Sequence, residues 1–207
     1  MPGFLSEDLT YSCAIFSGLD ADLRSPDTKL EDEFWLAPGK TYDSKVSISV
    51  PSSPTPSLPP YIDDDDLSAG QMRKVDHIIS KAQIKPGHRI LEIGSGWGST
   101  AIRIAQTIER TEIDSLTISV AQQELAMQRI RKHGLEGRIR VHLMDYRSMP
   151  ESWKGSFDRL VSIEMMEAVG REYMDTFWEK ISWAMKPERA VGVVQCITLP
   201  EARMFSQ

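Results

Sequence analysis

From residue 67 onward the apolar positions switch between two periodicities. Met72, Val75, Ile78, Ile79 and Ala82 fall three and four residues apart, and this spacing predicts one amphipathic helix over 68–83. Lys85-Pro86-Gly87-His88 predicts a turn. Residues 89–93 form a short apolar strand that runs straight into glycines. Helices follow over 99–109, with Ile102, Ala105 and Ile108 on one face, and over 120–133, stopped by Gly134. Strands are predicted over 113–118, 138–143 and 157–163. A last helix covers 171–185, with Met174, Phe177, Trp178, Ile181 and Met185 as its inner stripe. Lys186-Pro187 ends it, and 191–198 is a fifth strand. Strands alternating with helices specify βαβ units, so the expected class is α/β: a parallel sheet with helices on both faces.

The first 66 residues read differently. Tyr11 to Phe16 make an apolar patch. Pro51, Pro54, Pro56, Pro59 and Pro60 then crowd one segment with serines, ahead of an acidic run at Asp63 to Asp66. Such a stretch buries too little apolar surface to offset its ordering entropy. The expected division is an N-terminal segment 1–16, a mobile insertion 17–66 and a main domain 67–207. Composition fits a soluble domain: 207 residues, 41% hydrophobic, with a net charge of -6. That acidity argues against a nucleic-acid partner and gives no general attraction to anionic lipid. Two cysteines, Cys13 and Cys196, make no disulfide framework, and the start MPGFLSEDLT lacks the features of a signal peptide. A cytoplasmic location is expected. His77, His88, His133 and His142 have no metal-ligand spacing, so no metal is expected.

The chemistry concentrates in Glu92-Ile93-Gly94-Ser95-Gly96-Trp97-Gly98. A strand ends, glycines occupy alternate positions, and a helix starts. Glycine admits positive φ and lacks a Cβ, so the backbone can approach a ligand closely. The helix start adds N–H donors. A dinucleotide fingerprint would place its third glycine one residue later and an acid at the end of the second strand, where Leu116-Thr117-Ile118-Ser119 stands instead. A phosphate loop would need Gly-Lys-Ser/Thr. The acid-led pattern is the one used by methyltransferases that bind S-adenosylmethionine.

Four segments resemble the cyclopropane-fatty-acid synthase family, which includes the mycolic-acid-modifying enzymes. They are Tyr11-Ser12-Cys13-Ala14, Glu92 to Gly98 with Trp97 between the glycines, Thr117-Ile118-Ser119-Val120-Ala121-Gln122, and Asp145-Tyr146-Arg147 followed by Ser162 to Gly170. The resemblance implies a Rossmann-like methyltransferase fold that holds S-adenosylmethionine. Tyr11 and Ser12 would cap the cofactor. Glu92, Gly94, Ser95, Gly96, Trp97 and Gly98 would wrap it, and Thr117, Ile118, Ser119 and Gln122 would also bind it, with Gln122 reaching its ribose. Asp145, Tyr146 and Arg147 would lie at its adenine. The implied reaction is methyl transfer to the double bond of an unsaturated acyl chain, with a bound bicarbonate as base. Glu167 and backbone near Cys13 would hold that bicarbonate, and Gln195 stands where compact members carry His. The basic cluster Arg129, Arg131, Lys132, His133, Arg138 and Arg140 could touch lipid phosphates at a membrane periphery, or be a solvated helix end.

The resemblance also implies further strands after the fifth, whereas the sequence stops at Gln207. The expectation drawn from this is an uncovered edge strand and a chain weakly stable or inactive by itself. Two alternatives stand beside the leading one. One is a C-methyltransferase for a sphingolipid or a small unsaturated metabolite. The other is a cofactor-binding protein without catalysis.

Overall fold

The computed structural model describes residues 9–15 and 67–198, and the expectations for 1–8, 16–66 and 199–207 lie outside the described residues. The elements run α1 (Leu67–Lys81), β1 (Arg89–Ile93), α2 (Ser99–Thr107), β2 (Glu112–Thr117), α3 (Val120–Lys132) and β3 (Ile139–Leu143). After short 3-10 turns come β4 (Arg159–Ile163), α4 (Met174–Ala184) and β5 (Val191–Gln195). All five strands are parallel, in the order β3-β2-β1-β4-β5. The order reverses between β1 and β4. At that point the loops leaving the strand carboxyl ends diverge and open a crevice, the usual ligand position in such sheets.

Side chains alternate across the sheet and make two cores. Ile90, Ile113 and Val161 pack on one face against Ile78, Ala101, Ile104 and Ile130 of α1, α2 and α3. Leu91, Ile93, Leu116 and Leu160 pack on the other against Phe177, Ile181 and Ala184 of α4, joined by Trp153 and Phe157. Each such side chain contributes about 1.5–3 kcal/mol when fully buried, so the two layers hold the strand ends in fixed relation.

The sequence pattern needs corrections at the ends. The first three helices stop one or two residues early. The fourth starts at Met174 because Arg171–Tyr173 is a 3-10 turn. The fourth strand starts at Arg159, and Phe157 makes only an isolated bridge to Met185. Trp178 was expected in the inner stripe but is 45% exposed. The buried positions of α4 are Phe177, Ile181 and Ala184. Trp178 lies one step around the helix from them, with its ring edge against Phe177.

Toward the amino end of the sheet, Asp114 on β2 is buried among cations. It accepts from Arg89 Nη2 at 2.9 Å, Arg140 Nε at 3.2 Å and His142 Nε2 at 2.9 Å. Burial pushes its carboxyl up, but these three hydrogen bonds outweigh that and hold it at about 2. Much of the basic cluster is likewise used internally. Arg138 donates to the carbonyls of Ala105, Ile108 and Thr111, and Arg129 to that of Trp97.

Candidate functional site

The carboxyl ends of β1 to β4 line a cavity of about 420 Å³, with Ile93 and Gly94, Leu116 to Ile118, Met144 to Arg147, and Glu164 and Met165 in its wall and Tyr11 at its mouth. A smaller space of about 40 Å³ lies between Leu9 to Ser12 and the glycine turn, bordered by Ser95, Gly96, Trp97 and Lys74. Gly94 borders both. Its φ is +97°, and an added Cβ would stand 3.1 Å from Met165 Cγ, so strain and crowding both exclude a side chain there. Gly98 has a different reason. It lines neither space, and a Cβ on it would come 3.1 Å from Ala126 Cβ, so its bareness lets the start of α2 seat against α3.

The second strand supplies the rim. Thr117 Oγ1 donates to Gln122 Oε1 at 2.7 Å, which turns the amide nitrogen of Gln122 toward Tyr11 Oη at 3.3 Å. Ser119 does not line the cavity; its hydroxyl accepts from Gln122 N and caps α3. Between them Ile118 is left 80% exposed. Asp145 accepts from Arg147 through the backbone N at 2.8 Å and the guanidinium at 2.6 and 3.0 Å. The Arg147 hydrogen bond holds the Asp145 carboxyl below its usual range. The Tyr146 ring meets Phe177 edge-on and so stands fixed in the cavity wall.

Glu92, expected among the cofactor residues, lines neither space. Its carboxyl is buried, with the Ser115 hydroxyl donating to it, and burial pushes it up to about 7. Ser12 is tied to α1. Gln71 Nε2 donates to its carbonyl at 2.5 Å and the Lys74 ammonium to its hydroxyl. Ile15 N donates to Gly70 O at 3.1 Å. Gln71 and Lys74 are nearly fully buried, and sequence reasoning missed both. The available signal was their place beside Val75 and Ile78 on the inward stripe of α1.

The largest difference from expectation lies after β4. Cys13 N donates to Glu164 Oε1 at 2.8 Å, and Gln195 Nε2 donates to the same oxygen at 2.9 Å. The carboxylate that meets Cys13 is therefore Glu164, not Glu167. Glu167 accepts from Ile197 N at 2.5 Å and borders a separate shallow depression with Cys196 and Met174. The cause is a left-handed kink: Glu164 has φ +49°, which diverts the chain before the 3-10 turn Met166–Ala168. A non-glycine residue in that region is strained and is common at functional sites. Gln195 Oε1 is buried and has no hydrogen-bond partner among the described residues. The hydrogen bond to Glu164, and then burial, push the Cys13 thiol up, away from the activated range of reactive cysteines. Among the described residues no group of His, Cys, Asp and Glu could hold a metal, and no helix is long and apolar enough to cross a membrane.

A parallel five-stranded sheet with its cavity at the reversal point, walled by a glycine turn, has the Rossmann-like architecture that S-adenosylmethionine-dependent methyltransferases share. A family profile described as mycolic acid cyclopropane synthetase matches residues 55–207, and the chain belongs to that family. It is 33% identical over 203 residues to the tuberculostearic acid methyltransferase of Mycobacterium tuberculosis, covering 98% of this chain and 37% of that protein. To the cyclopropane-fatty-acyl-phospholipid synthase of Escherichia coli it is 37% identical over 126 residues, covering 61% of this chain and 31% of that one. The chain thus spans about a third of the length of these relatives. Among solved structures, a cyclopropane synthase of M. tuberculosis, MmaA2, superposes with a TM-score of 0.60 at 26% identity, over 69% of this chain and 48% of that chain.

Proposed function

We propose that this chain binds S-adenosylmethionine in the cavity at the strand carboxyl ends and directs its methyl group to an alkene carbon of an unsaturated acyl chain. The observation that carries the reading is the rim: Gln122, oriented by Thr117 and joined to Tyr11, closes one side of a cavity whose opposite wall includes the glycine turn at Gly94. The group fits this donor set. Gln122 offers an amide to ribose hydroxyls, Ile118 and Tyr146 offer apolar surface to a purine, and Asp145 offers carboxylate lone pairs to an exocyclic amine. When bound, the cofactor supplies an electrophilic methyl on a sulfonium. The chain's own contribution is placement and exclusion of water: Met165, Ala168 and Val169 give the cavity wall the apolar surface that an acyl chain needs. The names of the relatives, which refer to methylated and cyclopropanated fatty acids, support a lipid substrate.

Calorimetry with S-adenosylmethionine and with its demethylated product, followed by incubation with methyl-labelled cofactor and an unsaturated lipid extract, tests this. The expected result is binding heat for both nucleosides and label on a former alkene carbon. No heat from either nucleoside on folded protein would overturn it. Gln122→Ala should weaken nucleoside binding by up to about tenfold, the loss of one hydrogen bond.

A further inference from the structure

The resemblance places a bicarbonate base between Glu167 and the backbone of Cys13, and the residues present do not fit one. The Cys13 N–H and the Gln195 side-chain N–H both point at Glu164 Oε1, and Glu167 already takes the Ile197 N–H. An anion brought there would find its donors in use and a carboxylate in its place. Glu164 also lines the large cavity beside Gly94 and Met165. We propose that Glu164 is itself the proton acceptor of the reaction, a base built into the chain at the position where an anion would otherwise be recruited.

This rests on the methyl-transfer reading. The alkene π pair forms the new bond to the methyl carbon, while the sulfur–methyl pair stays on sulfur. The carbon left cationic must then be quenched. A carboxylate oxygen of Glu164 takes a proton from the newly attached methyl, and the released C–H pair closes onto the cation. Glu164 ends as the neutral acid and returns its proton to solvent. Two features keep the acceptor poised. The Cys13 and Gln195 N–H groups fix one oxygen and leave the other for the substrate, and Glu164 itself lines the cavity. The Gln195 Oε1 beside it is buried and has no hydrogen-bond partner among the described residues.

The test uses the full chain loaded with the demethylated nucleoside, with 13C-bicarbonate as probe, beside turnover in bicarbonate-free and bicarbonate-supplemented buffer. Glu164→Gly is the informative variant, because glycine adopts φ +49° without strain and frees both N–H donors. The wild type should leave the bicarbonate resonance unbroadened and turn over equally in both buffers. Glu164→Gly should broaden it, lose roughly 100-fold or more of turnover, and recover part of that with added bicarbonate or acetate. Glu164→Gln should lose as much and not be rescued, since its amide still fills the space. Nucleoside binding heat should stay within about threefold in both variants, which separates a lost base from a lost fold or site. Bicarbonate binding by the wild type, or Glu164→Gly turning over normally without added anion, would overturn the inference and leave the methyl-transfer reading standing. Absence of nucleoside heat from the wild type would overturn both.

Discussion

Asp114 and Glu92 lie on neighbouring paired strands, both almost fully buried, and their surroundings differ completely. Asp114 faces the α4 side and accepts hydrogen bonds from two arginines and a histidine. Glu92 faces the other helices and has one hydroxyl. One carboxyl is held at about 2 and the other pushed up to about 7. A buried charge is tolerated where partners converge, and where they do not the group prefers to keep its proton. The same contrast separates the two ends of the sheet. At the amino end the carboxylate of Asp114 is fully paired, while the backbone turns left-handed at Gln83, Arg110 and Arg189 ahead of β1, β2 and β5. At the carboxyl end lie a buried amide oxygen with no hydrogen-bond partner among the described residues and an isoleucine 80% exposed. The amino end contributes stability, and the carboxyl end keeps its groups available.

Removing the pivot of the satisfied end should have the largest effect. Asp114→Ala leaves Arg89, Arg140 and His142 facing one another without their shared anion, and should cost on the order of 3 kcal/mol in denaturant unfolding. A loss below about 0.5 kcal/mol, the ordinary surface range, would break the comparison. The pH dependence should follow the two carboxyls in opposite directions. The Asp114 shift is downward, so its contribution of about 2 kcal/mol is present above its unfolded value near 3.8 and is lost as pH falls through about 2. The Glu92 shift is upward, so the native state holds a proton that the unfolded state has released between about 4.5 and 7. Stability should therefore fall as pH rises across that window, by on the order of 3 kcal/mol. Glu92→Gln keeps the shape and removes the titration. Urea midpoints for this variant should be flat from pH 5 to 7 relative to the wild type, and an unchanged slope would show that Glu92 is paired after all.

Local signals made much of this architecture legible. The strand–glycine–helix turn at residues 89–99 and the helix start after Ser119 depend on neighbours in sequence, and both stand where the residues indicate. Glu167 was expected as a site carboxylate because the family resemblance implies it there, just after an apolar strand. The choice between Glu164 and Glu167 turns instead on one dihedral angle and on donors from residues 13 and 195, which no local pattern carries. Asp114 was silent for the same reason, because its partners come from β1 and β3. Gln71 and Lys74 look like a solvated helix face until the N-terminal segment is laid against them. Gly98 was read as a ligand contact, since the sequence does not show that Ala126 approaches from α3.

The smallest expected effect on stability bears most directly on the carboxyl end. Ile118 stands at the cavity mouth between the Thr117–Gln122 hydrogen bond and the helix cap at Ser119, and the fold buries almost none of it. Hydrophobic burial scales with area removed from water, so Ile118→Ser should change unfolding free energy by less than about 0.5 kcal/mol. If the side chain instead covers a bound purine, the same area is buried on binding, and nucleoside affinity should drop roughly tenfold. Thermal melts and nucleoside calorimetry on this one variant read the two quantities separately. A melt that moves while affinity does not would assign Ile118 to the structural end and remove the apolar wall from the proposed cofactor site. An affinity loss with an unmoved melt would show a residue whose burial is reserved for the ligand, the property that distinguishes this rim from the ion cluster around Asp114.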